Sequence, residues 1–465
     1  MGTSGPVPPE AIRQRRLIVC TAVSANLLGN VGLIGVNVAA PAISLDLGMS
    51  AVEVNWISLA TLMAMAMFSA PTARLADIAG RRLVTFLGLW VAIVGSALGA
   101  VAWSSFSLLV SRAITGVGLV AFFTTVTTMA AAAYPPEQRG RVLGMTIGSV
   151  YVGLSLGPAL AGFLVERLGW PALFWFTAVG LLPTVVFVHL IKKDPPACPG
   201  EKMDYWGSLL WAVAVALIFS GLASLGLDLS ILAVAAGLFL LGLFINRSLG
   251  MASPLIDLAL FRDSRRFAFS SVAAYISYLS SFSVSYLVSL YLQFSKGLSP
   301  SEAGLLLIAQ PVFQAVITPF AGRLSDRFDP GRLASLGLLT IFAASLFLAN
   351  VLSLDTGVPV IVADLALFGV GFALFSAPNS NAIMGAAPPK RLGQASVVIT
   401  VTRLWGQISC LAVTTLVFAI IIGPEKIQPH LYPKFVTAAR VCFWLFAPLA
   451  LLGVAASQAR GGKGV

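Results

Sequence analysis

The chain has 465 residues, of which 58% are hydrophobic and only 10% charged, where a soluble domain would carry roughly 25% charged residues. The deficit runs along the whole length, which excludes an ordinary soluble enzyme and a protein held by one anchor. The net charge of +11 points to no nucleic acid, because Lys and Arg fall in short clusters between apolar runs. Nor do the runs alternate in polarity as the strands of a membrane β-barrel do. Four cysteines (Cys20, Cys198, Cys410 and Cys442) lie scattered without a CxxC or metal-ligand spacing. No metal site or cofactor is implied.

An α-helical span needs about 20 apolar residues, and charged or turn-rich breaks divide the chain into fourteen runs long enough to cross a membrane. The first, 17–42, is too long for the apolar region of a cleaved signal, and it carries Asn26, Asn30 and Asn37 on one helical face. Runs at 54–73, 83–103 and 106–131 follow, the last holding Arg112. The fifth, 143–165, contains Tyr151 and the series Gly148, Gly153, Gly157, Pro158 and Gly162. Next come 171–191 and then 206–226 and 229–247, two runs separated only by Gly226-Leu227-Asp228. The ninth, 267–292, shows a stripe of Tyr275, Tyr278 and Tyr286. The tenth, 303–322, pairs Gln310 with Gln314. After 333–352, the twelfth, 359–384, holds Asp364, the one acidic residue of the 18 that sits within an apolar run. In the thirteenth, 395–422, Ser396, Thr400, Arg403 and Gln407 share a face, and 436–457 ends the series. Polar side chains at such depth are costly unless they face a cavity or a partner. The stripes together predict a mixed polar and aromatic cavity; for any one of them, interhelical bonding or packing is the alternative.

Orientation follows from the distribution of Lys and Arg. With the N-terminus inside the cell, the inner segments hold 22 of the 29 basic residues and the outer loops hold four (Arg167, Lys296, Lys426 and Lys434). The remaining three, Arg112, Arg403 and Arg440, lie within runs. Both termini are therefore expected on the cytoplasmic side of a cell (inner) membrane. The chain also nearly repeats itself. Arg74-Leu75-Ala76-Asp77 after the second run returns as Arg323-Leu324-Ser325-Asp326 after the tenth, and Gly116-Val117-Gly118 returns as Gly369-Val370-Gly371. Two six-helix halves with a two-helix insert account for both offsets. The expected organisation is a tail at 1–16, a six-helix bundle at 17–192, a loop and two linker helices at 193–250, a second bundle at 251–457 and a tail at 458–465. Parallel repeats of this kind place a transporter's substrate site between the halves near the bilayer midplane.

Leu75-Ala76-Asp77-Ile78-Ala79-Gly80-Arg81-Arg82 resembles the loop signature of the major facilitator superfamily, whose fold is an all-α membrane bundle. Gly80 suits a tight turn, Arg81 and Arg82 suit the cytosol, and Asp77 can accept from free N–H groups at a helix start. The resemblance implies that this loop latches the two halves on the inner side, with Asp326 and Arg327 as its echo in the second half. The Gly153, Gly157 and Pro158 series is similar to a motif of the superfamily's antiporters; small residues four apart also let helices approach closely. Val36-Asn37-Val38-Ala39-Ala40-Pro41, Trp56, Arg112 with Gly116 and Gly118, Pro254-Leu255-Ile256-Asp257, Leu260-Phe261-Arg262 and Tyr291-Leu292-Gln293 resemble the fourteen-helix drug:proton antiporters. The likeness runs from about residue 20 to 455, giving an expected 6+2+6 arrangement of fourteen helices with pseudo-two-fold related halves. One departure matters. Where that family carries an acid in the first span, this chain has Gly32, and no carboxylate lies in that run.

The resemblance implies secondary active efflux of hydrophobic or amphipathic small molecules by alternating access, driven by protons. Asp364 is then the candidate proton carrier in place of the missing acid, with Arg112 or Arg403 tuning it; an outer-leaflet Asp held for structure is the alternative. Missing the first-span acid, the chain also fits a facilitator or ion-coupled transporter of a specific lipid, metabolite or organic anion, which Arg112 and Arg403 could hold. A non-transporting membrane sensor is a third reading, against which the intact loop and Gly-Pro motifs argue. No GxxxxGK[ST] segment occurs, and His189 and His430 lie far apart, so no enzyme is expected. The expected partners are a small-molecule substrate, protons and the lipid bilayer, with the chain acting as a monomer.

Overall fold

Within a bilayer, backbone N–H and C=O groups find no water, so an apolar run must bond to itself as a helix. The computed structural model describes residues 9–192, 201–224, 228–251, 254–388 and 391–460. Among them are fourteen helices long and apolar enough to cross a membrane, and no strand. In chain order the spans are Pro9–Asp46, Ala51–Ala79, Arg81–Ala100, Ser105–Ala132, Arg141–Leu168, Pro171–Leu190, Tyr205–Ala223, Leu229–Leu249, Arg265–Ser295, Pro300–Ser325, Pro330–Val351, Val358–Ala386, Leu392–Ile421 and Pro429–Ala459. They are called spans 1 to 14 below. The even number puts Pro9 and Ala459 on one face, here termed proximal; the other face is distal. The break expected at Gly226-Leu227, together with Cys198, Lys193 and Lys390, lies outside the described residues.

Two terminal expectations change. Span 1 starts at Pro9 and not at 17. Span 14 runs to Ala459, past the expected end at 457, and Arg460 beyond it is buried. The Arg460 guanidinium donates to Ser270 Oγ (3.2 Å), Asn379 Oδ1 (3.1 Å), Pro330 O (2.9 Å) and Ser457 Oγ (2.8 Å), tying spans 9, 11, 12 and 14 together. Burial lowers its pKa to about 10, which still leaves it charged at neutral pH.

The halves are built alike. In the first, span 1 packs on spans 5 and 6, span 4 on spans 2 and 3, and span 3 on span 6. In the second, span 9 packs on 13 and 14, span 12 on 10 and 11, and span 11 on 14, the same scheme eight helices on. Close glycine contacts repeat with it. A Cβ on Gly116 would come within 2.4 Å of Thr61 O, and one on Gly369 within 2.3 Å of Gln310 O. Gly88 meets Gly118, and Gly337 meets Gly371, in the same manner. Spans 2 and 10 even begin alike: Ser50 with Glu53, and Ser299 with Glu302, each form a reciprocal capping box. That repeat is legible in the sequence as Ser-x-x-Glu at the same offset as the Arg74 and Arg323 segments.

Between the halves, span 2 packs against span 13 and span 5 against span 10. The insert stands beside one of these seams. Span 7 touches spans 2 and 13, with Trp211 Nε1 donating to Ala66 O (3.0 Å) and its ring stacked on Trp405 (5.4 Å). Span 8 packs on span 7 and shows Leu229, Ile231, Leu232 and Phe239 outward, as a lipid-facing helix would. A bidentate pair from Arg247 to Asp204 closes this hairpin at its proximal end. Burial opposes the charge on Asp204, but the Arg247 and Gly207 bonds outweigh it and hold the carboxyl below its ordinary pKa. Exposed Tyr205 and Trp206 on the proximal side, and Trp103 and Phe106 on the distal side, sit where aromatic belts meet an interface.

Candidate functional site

On the distal side the halves meet through backbone. A Cβ on Gly162 of span 5 would fall 2.2 Å from Pro300 O, and one on Gly304 of span 10 would fall 2.2 Å from Pro158 O. Only glycine at both places permits this approach. The span 5 motif therefore divides its work, since Gly153 and Gly157 face Leu27, Asn30 and Val31 of span 1 within the same half. Two other motif segments also meet here. Ser289 Oγ donates to Asn37 O (3.1 Å) and Gln293 Nε2 to Val38 O (3.1 Å), while Ala51 N donates to Glu425 O (3.1 Å). Tyr291 OH donates to Ser353 O (2.6 Å) and anchors the π-helical end of span 9, Tyr291–Ser295.

The proximal ends of the same helices differ. A Cβ on Gly144 or Gly148 of span 5, or on Gly322 of span 10, would meet nothing within 4 Å. Among the described residues, the side-chain bonds of the loop after span 2 run within the first half and to the segment leading into span 7. Gly80 turns at φ 97°, and Arg81 pairs with Asp77 at 3.8 Å. Arg82 instead closes span 6, donating to Val188 O (3.1 Å) and His189 O (2.9 Å), and Arg74 pairs with Glu201. Asp77 was expected to accept from a helix start; span 3 has no side-chain cap, and Asp77 meets the Arg81 side chain instead. The geometric reason is that Asp77 sits in the last turn of span 2, one turn before Arg81. In the second half Arg327 is exposed and ends the helix continuing from span 10, the Asp326 side chain lies outside those described, and Asp329 caps span 11 through Gly331 N and Arg332 N.

Between the two ends lies a set of part-buried polar and aromatic groups contributed by both halves. Tyr151 OH is 3.4 Å from Thr318 Oγ1, and Tyr278 stands within electrostatic reach of Tyr151 and Arg403. Tyr278 also packs edge-on to Phe372 at 5.2 Å. Tyr151, Tyr278, Arg403 and Gln407 are all partly exposed, whereas Gln314 is buried. This cluster joins spans 5, 9, 10, 12 and 13 and can offer a guest a cation, two phenols and aromatic faces.

Other candidates are occupied with structure. Asn26 Nδ2 donates to Thr146 O (3.3 Å), Asn30 Nδ2 to Asn26 O (2.7 Å), and Asn37 Oδ1 accepts from Ser58 (2.7 Å). Tyr275 OH bonds Ser409 Oγ at 2.9 Å, and Gln310 accepts from Ser285 at 2.6 Å. One polar atom of each is used in an interhelical or intrahelical bond. Tyr286 is fully buried, with no partner for its hydroxyl among the described residues.

The two intramembrane charges at like depth do not meet. Arg112 is 2% exposed, donates Nε–H to Ile57 O (3.2 Å), lies 5.8 Å from the centre of the Phe174 ring and has no partner for Nη2. Asp364 is 3% exposed, and neither carboxyl oxygen has a hydrogen-bond partner among the described residues. Neither Arg112 nor Arg403 is paired with it. Asp257 of the Pro254–Asp257 segment binds Arg391 at 3.3 Å and accepts from Ala259 N while its own N–H donates to Gln394, fixing the entry to span 9.

The sequence model described as Major Facilitator Superfamily matches residues 19–262 and 270–458. The chain belongs to that superfamily, a class of membrane transporters. It is 25% identical to the riboflavin transporter RibZ of Clostridioides difficile over 442 residues, covering 94% of this chain and 95% of RibZ. It is 27% identical to the multidrug resistance protein Stp of Mycobacterium tuberculosis, covering 85% and 74%, and 23% identical to the lincomycin resistance protein LmrB of Listeria monocytogenes, covering 86% of each. Among solved structures, a peptide transporter POT bound to sulfate aligns with TM-score 0.71 at 16% identity over 94% of each chain. The human organic anion transporter MFSD10 aligns with TM-score 0.62 at 17% identity, over 97% of this chain and all of that one. These structural likenesses speak for the fold.

Proposed function

We propose that the chain is a secondary active exporter of hydrophobic or amphipathic small molecules, coupled to protons and working by alternating access. The observation that carries this reading is the contrast along spans 5 and 10. They touch backbone to backbone at Gly162 and Gly304 on the distal side, whereas a Cβ on their proximal glycines Gly144, Gly148 and Gly322 would meet nothing within 4 Å. A seal at one end and a gap at the other is the geometry of a site reached from one face at a time. The excess of Lys and Arg on the proximal face makes that face cytoplasmic, in the cell (inner) membrane. A substrate would enter from the cell, rest against Tyr151, Tyr278 and Arg403, and leave when the distal contacts part and the Asp77 loop engages the second half. Asp364 is the proton-binding group in this scheme, because it is the acid left buried and unpaired inside a span. Names of relatives such as Stp and LmrB support a resistance-type efflux role. Each chain holds both halves of the cavity and works as a monomer.

A second reading, transport of one specific metabolite, is favoured by the near full-length match to a riboflavin transporter and by Gly32, which leaves span 1 without an acid. One experiment addresses both. In proteoliposomes with an imposed pH gradient, a panel of cationic, neutral and anionic amphiphiles plus riboflavin is offered to the wild type and to Asp364→Asn. The efflux reading expects gradient-driven movement of several amphiphiles and its loss in D364N. Movement of riboflavin alone would favour the second reading, and proton dependence unchanged in D364N would remove Asp364 from the mechanism.

A further inference from the structure

Arg112 borders a closed cavity of about 10 Å³ inside the first bundle, away from the seam between the halves. Gly29 and Gly32 of span 1, Ser96 of span 3, Arg112 and Thr115 of span 4 and Thr177 of span 6 line it. That volume admits one particle about the size of a water molecule. The guanidinium is permanently charged, and among the described residues it forms no ion pair. Its Nε–H is used on Ile57 O, Nη2 has no partner among the described residues, and the group lies over the Phe174 ring. Thr115 and Thr177 donate to Ser111 O (2.8 Å) and Leu173 O (3.0 Å) of their own helices. The guanidinium and the Ser96 hydroxyl are the donors left to serve a guest.

Water could satisfy the hydrogen bond but not the charge, and an uncompensated buried ion costs several kcal/mol. A divalent anion would overshoot the single positive charge, and a carboxylic acid or phosphate is larger than the space. We propose that this cavity is a binding site for one small monovalent anion, chloride in size and charge, which acts as the counterion of Arg112. Chloride exceeds water in radius by only a few tenths of an ångström. The absent side chain of Gly32 helps make the room: a Cβ there would lie 2.7 Å from Thr177 Oγ1 and 2.8 Å from its Cγ2. The site lies inside one bundle and is independent of the direction and substrate of transport.

The test uses the purified full-length protein in nanodiscs. Thermal unfolding is followed by tryptophan fluorescence as chloride replaces gluconate at constant ionic strength, and binding of radiolabelled chloride is measured directly. A ligand that binds only the folded state raises its stability saturably, so the midpoint should climb with chloride or bromide and level off, with one chloride bound per chain. Arg112→Gln should abolish both responses and Arg112→Lys should keep them. Gly32→Asp combined with Thr177→Ala places a covalent carboxylate in the same space and should fold without responding to chloride. This double variant keeps the test decisive if R112Q fails to fold. Equal midpoints in chloride and gluconate for the wild type would mean that the cavity holds water alone and would overturn the proposal. So would a chloride response that survives in the double variant.

Discussion

The first bundle buries a basic side chain where the second buries an acidic one. Arg112 lies four residues before Gly116, and Asp364 lies five before Gly369, so the two stand within one residue of the same repeat position. Around them the scaffold is the same: Gly116 and Gly369 meet a carbonyl of spans 2 and 10, and Gly88 and Gly337 meet spans 4 and 12. Ser345, the equivalent of Ser96, is likewise buried and has no partner for its hydroxyl. The contrast teaches that glycine-mediated backbone contact, common to both halves, makes the fold. The charges differ between halves and are not needed to build it. Burying an ionisable group without a countercharge carries a desolvation cost, and the fold common to both halves does not require it at either position.

The comparison can be broken most strongly at the glycines. Gly116→Val and Gly369→Val should each destabilise the protein by roughly 3 kcal/mol or more, since the added carbons strike backbone that cannot turn aside. Thermal unfolding in nanodiscs should show comparable losses, and a half that tolerates the change would not share the packing described. A smaller effect should separate the charges by sign. Arg112→Gln removes the charged bond to Ile57 O and the contact with Phe174, a loss of about 1–3 kcal/mol. Asp364→Asn removes a group with no bond to lose and should leave stability unchanged or raised. A clear loss in D364N would reveal a structural partner for that carboxyl. The smallest effect belongs to the insert, which neither half copies. The Asp204 pKa is lowered on folding, so its contribution is present above the ordinary carboxyl value of about 3.9 and is lost as pH falls through the lowered one. The wild type should therefore unfold at a higher temperature than Asp204→Asn near pH 5, and the gap should close as pH is taken below 4.

Number, order and repetition of the spans were legible in the sequence, because the bilayer imposes length and polarity on each helix separately, and the arginine and Ser-x-x-Glu positions recur 249 residues on and the Gly-Val-Gly segment 253 residues on. The ends were less legible. Pro9–Arg16 and Arg460 read as tail by charge, yet Arg460 is buried, because three acceptors from other spans and Ser457 of its own helix converge on it. The polar stripes illustrate the same limit. Asn26, Asn30 and Asn37 share a helical face, but Thr146 O, Asn26 O and Ser58 claim them, and no pattern along span 1 says which neighbour faces it. The sequence by itself determined a fourteen-helix major facilitator chain, since hydropathy, charge asymmetry and close-packing glycines act locally. Only the tertiary structure decided that the motifs of spans 1, 5, 9 and 10 meet in one distal seal, and that Arg112 and Asp364 never pair. Those facts depend on which helix faces which, and that is set by the packing of all fourteen together.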